Sequence, residues 1–292
     1  MRITIRQLEI FRAIFQEQTV TAAARKIGLS QAATSQALAE LENLLERKLF
    51  DRHGRRIIPN DAGRRLLPAA VEVLDRVREI EVPGLEAGRH IKICASLTIG
   101  NYLLPPLVSR FANRHPGCQF QVALGNTDQV VNSLLHWESD VGWIEGLVRD
   151  SELKAFPWRE DELVIIANLS HPLASRHGTP EQLSEASWVL REKGSGTRAV
   201  FESATAGKFS PTRVPIELGG IEAIKLAVLS GGGLGCVSKS AVAAELRTGR
   251  LRRVHARWLD LRRQLTVLVH RKKHIDSGLR GFLQFCGIRY LG

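Results

Sequence analysis

The apolar positions of the first sixty residues fall at helical spacing, broken by short polar turns. Leu8, Phe11, Ile14 and Phe15 share one face of a helix over residues 5–17. Thr19-Val20-Thr21 interrupts the pattern, with Thr19 or Thr21 as the N-cap of a short helix through residues 22–27. Gly28 stands where a tight turn needs a positive φ, and Ser30 can cap a third helix running from Gln31 towards Leu45. Two short helices joined by a glycine-containing turn form a helix-turn-helix. In that arrangement the first turns of the second helix enter the DNA major groove. Here those turns offer Gln31, Thr34, Ser35 and Gln36, uncharged hydrogen-bonding side chains suited to base edges. Ala32, Ala33 and Ala37 keep the surface slim, and Ala37, Leu38, Leu41, Leu44 and Leu45 form the inner face.

Past Leu49-Phe50, the run from Asp51 to Ile58 sets a glycine between two short segments flanked by Arg52, Arg55 and Arg56. Alone it reads equally as a solvated basic hairpin. Directly behind a helix-turn-helix it reads as a β-wing over the phosphate backbone. Asn60 can cap the next helix. That helix carries Leu66, Ala70, Val73, Val77 and Ile80 at alternating steps of four and three, widened by Leu67 and Leu74. Such a heptad seam is most simply buried against a second copy of itself; packing on its own domain is the alternative. Pro68 should kink the helix, Pro83-Gly84 should end it, and Ala87-Gly88-Arg89 should act as a hinge.

From Ile91 the texture changes. Strand-like runs at 91–95, 119–124, 140–144, 163–167, 188–190, 214–218 and 234–237 are interspersed with helical patterns at 103–111, 130–135 and 221–229. Alternation of this kind predicts an α/β sheet with parallel elements.

The formal net charge is +11, but it is unevenly spread. Residues 47–65 hold seven basic and two acidic side chains, a local patch suited to phosphate. Residues 247–292 hold twelve basic and two acidic, and this tail is expected to be mostly solvated surface, with contact to wrapped DNA or an acidic partner as the alternative. No apolar run approaches the roughly 18 residues of a membrane span. Arg2, Arg6, Glu9 and Arg12 interrupt the N-terminal segment, which therefore does not read as a secretion signal. The four cysteines form no CxxC pair and are expected to be reduced and partly buried in a cytoplasmic protein.

The runs Gln7-Leu8-Glu9-Ile10-Phe11, Thr21-Ala22-Ala23-Ala24, Leu29 to Gln36, Leu41-Glu42 and Leu49-Phe50-Asp51-Arg52 resemble, in order and spacing, the DNA-binding domain of LysR-type bacterial regulators. One departure is Pro59-Asn60-Asp61-Ala62-Gly63, where the family often has Leu-Thr-x-Ala-Gly. The resemblance implies a winged helix-turn-helix over 1–60 and a linker and dimerisation helix with a hinge over 61–90. It also implies a two-lobed effector-binding domain over 91–292, similar to periplasmic solute-binding proteins. With crossings near 161 and 265, lobe 1 covers about 91–161 and 266–292, and lobe 2 about 162–265. Its implied partners are operator DNA, a small effector between the lobes, a second copy or three further copies of the chain, and RNA polymerase.

Ligands of open α/β sheets bind beyond the carboxyl ends of strands. Three hydroxyl-bearing turns sit there and open helices: Ser96-Leu97-Thr98, Asn126-Thr127, and Gly194 to Arg198 with Ser195 and Thr197. Helix N-termini favour anions, so these residues predict a small anionic effector; their alternative role is plain N-capping. The segment Arg191 to Arg198 also resembles one found in many LysR-type sensor domains. The family pattern makes Asp140 and Glu145 scaffold.

Catalytic readings do not fit. Residues 194–198 lack the Gly-Lys-Ser/Thr of a P-loop, Ser195 lies in Gly-Ser-Gly instead of a nucleophile elbow, and Gly231 to Gly235 has the wrong spacing for a dinucleotide site. His270 and His274 enclose three cations that oppose a metal. The expectation is a regulator without catalytic residues, metal or cofactor. The rival is a solute-binding or enzymatic α/β protein whose N-terminal helices only assemble it; the slim polar positions Gln31 to Gln36 argue against that.

Overall fold

A computed structural model describes residues 2–54, 56–81 and 89–288. Arg55, Pro83-Gly84 and Ala87-Gly88 lie outside the described residues, as does the side chain of Arg89.

The N-terminal head packs α1 (Ile5–Glu17), α2 (Val20–Ile27) and α3 (Gln31–Leu44) around Phe11, Ile14, Leu38 and Leu41, all at most 5% exposed. Thr4, Thr19 and Ser30 accept hydrogen bonds from the first-turn amides of the three helices, the usual way to satisfy free N–H groups. Gly28 closes α2 at φ 69°, as the turn requires. The strands β1 (Phe50–His53) and β2 (Arg56–Pro59) form an antiparallel hairpin with Gly54 at its tip.

Asn60 Oδ1 accepts from the amides of Ala62 and Gly63 and opens α4 (Asp61–Glu81), which contains Pro68. The apolar stripe of α4 divides. Leu67, Ala70, Val71 and Leu74 are buried in the head's own core, with Leu66 packed at its edge. Val73 and Ile80 remain exposed. Ala70 therefore cannot serve a seam between copies, because the head already covers it.

The rest of the described chain is an α/β domain built on one nine-stranded sheet. In chain order its elements are β3 (Arg89–Ser96), a π-helical turn (Ile99–Leu103), α5 (Leu104–Arg114), β4 (Cys118–Gly125), α6 (Thr127–Leu135), β5 (Val141–Glu145) and β6 (Leu153–Ala167). There follow α7 (Pro180–Glu185), β7 (Ser187–Arg191), α8 (Gly196–Thr205), β8 (Arg213–Leu218), α9 (Ile221–Leu229) and β9 (Leu234–Ser238). A 3-10 turn (Lys239–Val242), α10 (Ala243–Thr248), β10 (Arg252–Val254), β11 (Arg262–His270) and α11 (Ser277–Phe285) complete it.

Strand order is β4-β3-β5-β11-β6-β9-β7-β8, with β10 also on β6. The fifteen-residue β6 belongs to both lobes: it pairs with β11 as far as Glu162 and with β9 from Leu163 onwards. The chain leaves lobe 1 there and returns at Leu261–Arg262, where the Leu163 amide donates to Leu261 O. That return puts Arg263 on a strand of lobe 1. Trp143, Phe111 and Phe282 centre the core of lobe 1, and Trp188 and Phe201 that of lobe 2.

The structure corrects the expectation of a solvated basic tail at two positions. Arg263 and Lys273 have side-chain exposures of 1% and 8%, each drawn inward by carboxylates from distant parts of the chain. All four cysteines are free and buried, and burial pushes the Cys236 thiol up to about 12.

Candidate functional site

On the head, α3 presents Gln31, Ala32, Ala33 and Gln36 to solvent, with Ser35 half-buried. Thr34 is not on that surface. It is fully buried, and its hydroxyl donates to Ser30 O at 2.9 Å, so it holds the helix start instead of facing a groove. Gln31 Oε1 accepts from the Thr21 hydroxyl, and Gln36 donates to Glu40 one turn on; both links are exposed. Arg52 and Arg56 are exposed and cross-strand neighbours of Ile57 and His53 on the wing.

The second site lies where the lobes meet. β3 and β4 run parallel in register, Ser96 beside Gly125, and bring Ser96, Thr98 and Thr127 to one end of lobe 1. From lobe 2, Ser195 caps α8, its hydroxyl accepting from the Arg198 amide, and Thr197 follows in the first turn. Between them sits Arg263, which reasoning from the sequence passed over. Its Nη1 donates to Thr197 Oγ1 at 2.9 Å and its Nη2 to Thr98 Oγ1 at 3.2 Å, so one guanidinium holds a hydroxyl from each lobe. Its Nε donates to Asp161 Oδ2 at 2.8 Å, and Asp161 also accepts from Ser238.

Glu145 ends β5 at the same place, with Oε1 3.9 Å from Arg263 Nη2. The site thus contains carboxylates beside the hydroxyl-bearing turns, and Glu145, expected to be scaffold, reaches it. Gly196 makes the close approach possible: a Cβ there would fall 2.5 Å from Glu145 O and 2.8 Å from Thr127 Oγ1. Towards the rim, the Tyr102 hydroxyl of lobe 1 donates to Glu222 on α9, which also pairs with buried Lys225.

Three polar atoms at this junction are buried without a hydrogen-bond partner: Ser96 Oγ, Thr127 Oγ1 and Glu145 Oε1. Leaving such groups unpaired costs about 1–3 kcal/mol each, so their clustering marks a place shaped for something else. Ser195 and Thr98, by contrast, have their hydrogen bonds within the fold. Among the described residues no group of three or more histidine, cysteine or acidic side chains can hold a metal. Nor is any described helix long and apolar enough to cross a membrane.

The clue to Arg263 was its place in Leu261-Arg-Arg-Gln-Leu-Thr-Val-Leu-Val-His270, where arginine begins a strand that is otherwise mostly apolar. Asp161 gave no local signal, since it meets Arg263 only through the pairing of β6 and β11.

Two family profiles match the chain: "Bacterial regulatory helix-turn-helix protein, lysR family" over residues 5–64, and "LysR substrate binding domain" over residues 85–289. The chain is 40% identical to an uncharacterized HTH-type transcriptional regulator, YeiE, of Escherichia coli strain K12, over 98% of each protein. It is 30% identical to the HTH-type transcriptional regulator CysL of Bacillus subtilis strain 168, over 89% of each. Its fold is similar to a full-length OxyR variant from Pseudomonas aeruginosa, with TM-score 0.76, 21% identity and coverage of 98% of this chain and 94% of that one. The Synechocystis CcmR regulatory domain in complex with 2-PG superposes with TM-score 0.63 at 26% identity, covering 68% of this chain and 95% of that domain. A helix-turn-helix head joined to a two-lobed domain, matched along nearly its whole length, makes this chain a member of the LysR family of bacterial transcriptional regulators.

Proposed function

We propose that this regulator reads operator DNA with Gln31, Ser35 and Gln36, anchors on phosphate through Arg52, Arg55 and Arg56, and changes its DNA contacts when a small anion closes the two lobes. The protein works in the cytoplasm without catalysis, as a dimer or tetramer joined in part by the exposed Val73 and Ile80 of α4, and engages RNA polymerase at its promoters. Differential affinity of the effector for one lobe arrangement is what couples the two sites.

The observation that carries the anionic reading is the trio of orphaned polar atoms, Ser96 Oγ, Thr127 Oγ1 and Glu145 Oε1, beside the helix start at Gly196 and the guanidinium of Arg263. Hydroxyls and N-terminal amides donate to an oxyanion. The Glu145 oxygen accepts only, so the anion that suits this pocket keeps a donor of its own, a hydroxyl or a retained proton. The similar fold of the Synechocystis CcmR regulatory domain is found in complex with 2-PG.

The test is calorimetric titration of the full-length protein with inorganic oxyanions, hydroxy acids, amines and neutral sugars. An anion bearing a donor should bind best, and the double variant Ser96→Ala, Thr127→Val should weaken it by about 1–3 kcal/mol. Selective binding of an amine or sugar that ignores both substitutions overturns the reading. On the DNA side, Arg52→Ala should weaken all sequences alike and reduce the salt slope by about one, whereas Gln31→Ala should erode discrimination at one base pair by about 1–3 kcal/mol. Equal losses on specific and random duplexes for both variants would remove the division of labour.

A further inference from the structure

The head and lobe 1 are in direct contact, and the seam between them encloses a cavity of about 550 Å³, within the range of small-molecule sites. Its walls come from α1, α4, β3, β4, α11 and the segments just before β5 and just after β11. Gln16 of α1 donates to Trp137 O across the seam at 2.8 Å. Lys273 spans it from the other side, pairing with Asp75 of α4 at 2.6 Å and with Asp140 of lobe 1 at 2.8 Å.

Those ion pairs leave three cations on the cavity wall unequally served. Arg78 has Asp75 at 3.4 Å. Arg12 of α1 and Lys92 of β3, both half-buried, have no carboxylate within ion-pair distance among the described residues, and neither side chain makes a hydrogen bond there. Of the carboxylates that share the wall, Asp75 and Asp140 are held by Lys273, Asp140 also accepts from the Lys92 amide, Asp276 caps α11, and the exposed Glu81 forms an ion pair with neither Arg12 nor Lys92. Burial is the largest cause that lowers the pKa of both groups; repulsion from Arg78 adds to it at Arg12 against attraction from Asp75, Glu9 and Asp140, and repulsion from Arg12, Lys26 and Arg78 adds to it at Lys92 against attraction from Asp140. Arg12 and Lys92, from separate domains, thus line one cavity with no ion-pair partner of their own among the described residues.

We propose that this seam is a second ligand site, taking a small oxyanion of the phosphate or sulfate class between Arg12 and Lys92 and thereby fastening the head to lobe 1. It is independent of the effector cleft. An occupant there bridges α1 to β3 and opposes any motion of the reading head away from its own sensor lobe. The same chemistry is offered by the backbone phosphates of a DNA duplex, so the source of the anion is what an experiment must separate.

Lysine-reactivity mapping of the full-length protein does so, using an amine-acetylating reagent and mass spectrometry with inorganic phosphate or sulfate as probe. Lys92 should be acetylated at least fivefold more slowly with the anion present, while exposed Lys193 and Lys208 react unchanged. Arg12→Gln should abolish that protection, and Ser96→Ala with Thr127→Val should leave it intact even where cleft binding is lost. Lys92→Gln should remove the corresponding thermal stabilisation by the anion. The proposal is overturned if neither anion protects Lys92, if Arg12→Gln protects as well as the parent, or if only an operator duplex protects, which would give these cations to DNA.

Discussion

Near each end of β11 lies a buried cation, and the two are surrounded differently. Arg263, at the cleft end, faces Asp161 and Glu145 and holds one hydroxyl from each lobe, yet an oxygen of Glu145 and the hydroxyls of Ser96 and Thr127 are left over. Lys273, just past the other end, faces Asp75 and Asp140 with no unpartnered side-chain atom of this trio. In both clusters one buried cation faces two carboxylates. What differs is completeness. A cluster with spare acceptors and donors is arranged to receive a guest, whereas one whose members are matched is arranged to hold two parts of the chain together. The strands β5 and β11, neighbours in the sheet, connect the two clusters through lobe 1: Asp140 precedes β5 and Glu145 ends it.

The sharpest break is Lys273→Met. It keeps the bulk but removes the cation that Asp75 and Asp140 share, leaving Asp75 only the longer contact to Arg78, which should cost up to about 3–5 kcal/mol in chemical unfolding of the full chain. A loss below about 1 kcal/mol would mean that the seam is wet and the contrast with the cleft false.

Next is Gly196→Ala. Its Cβ would press on the Glu145 carbonyl and Thr127, an overpacking expected to cost about 1–3 kcal/mol unless the lobes part. Small-angle scattering should then report a longer sensor domain, with weaker effector binding and unchanged binding of free protein to random DNA.

A matched pair of isosteric changes follows. Asp140→Asn should destabilise by about 1–3 kcal/mol, because it weakens a satisfied network. Glu145→Gln should be neutral or stabilising, because it removes a charge only partly compensated by Arg263. Equal destabilisation by both erases the distinction between holding and receiving.

The smallest effect is on pH dependence. Asp140 is raised by burial but carried below its ordinary value by Lys273 and the Lys92 amide, so its contribution is complete above about pH 3.8 and disappears as acid drives it through the lower folded value. His270, tilted against Trp137 beside the same seam, is lowered chiefly by burial. Its share is present above about pH 6.5 and is lost as the pH falls through the depressed value. Between pH 7 and 5, hydrogen exchange should therefore quicken at Trp137 and α1 before it does at β7.

The head was legible in the sequence because its signals are local. Ser30 precedes its helix by one residue, and Gly28 sits at the turn it makes. Thr34 was misread although a signal existed: with Leu38 and Leu41 it lies at steps of four and three, the inward face of α3. The α4 stripe was visible, but periodicity cannot tell a helix buried by its own domain from one buried by a copy. The hydroxyls at the strand ends were found because topology places ligands there. Arg263 and Lys273 were hidden in a basic run, since their carboxylate partners are 102 and 198 residues away.

The shared sheet also dictates an order of manufacture. β11 occupies the middle of lobe 1, between β5 and β6, yet it is among the last segments translated. The head can close on itself once α4 has emerged, and the strands β7, β8 and β9 of lobe 2 can assemble before β11 exists, as N-terminal units fold first during synthesis. A nascent or truncated chain ending before Arg262 therefore owns a finished reading head but neither Arg263 nor Lys273. Such fragments are expected to occupy operators without answering to a metabolite, so premature termination just before Arg262 should behave as a dominant, effector-blind allele instead of a simple loss.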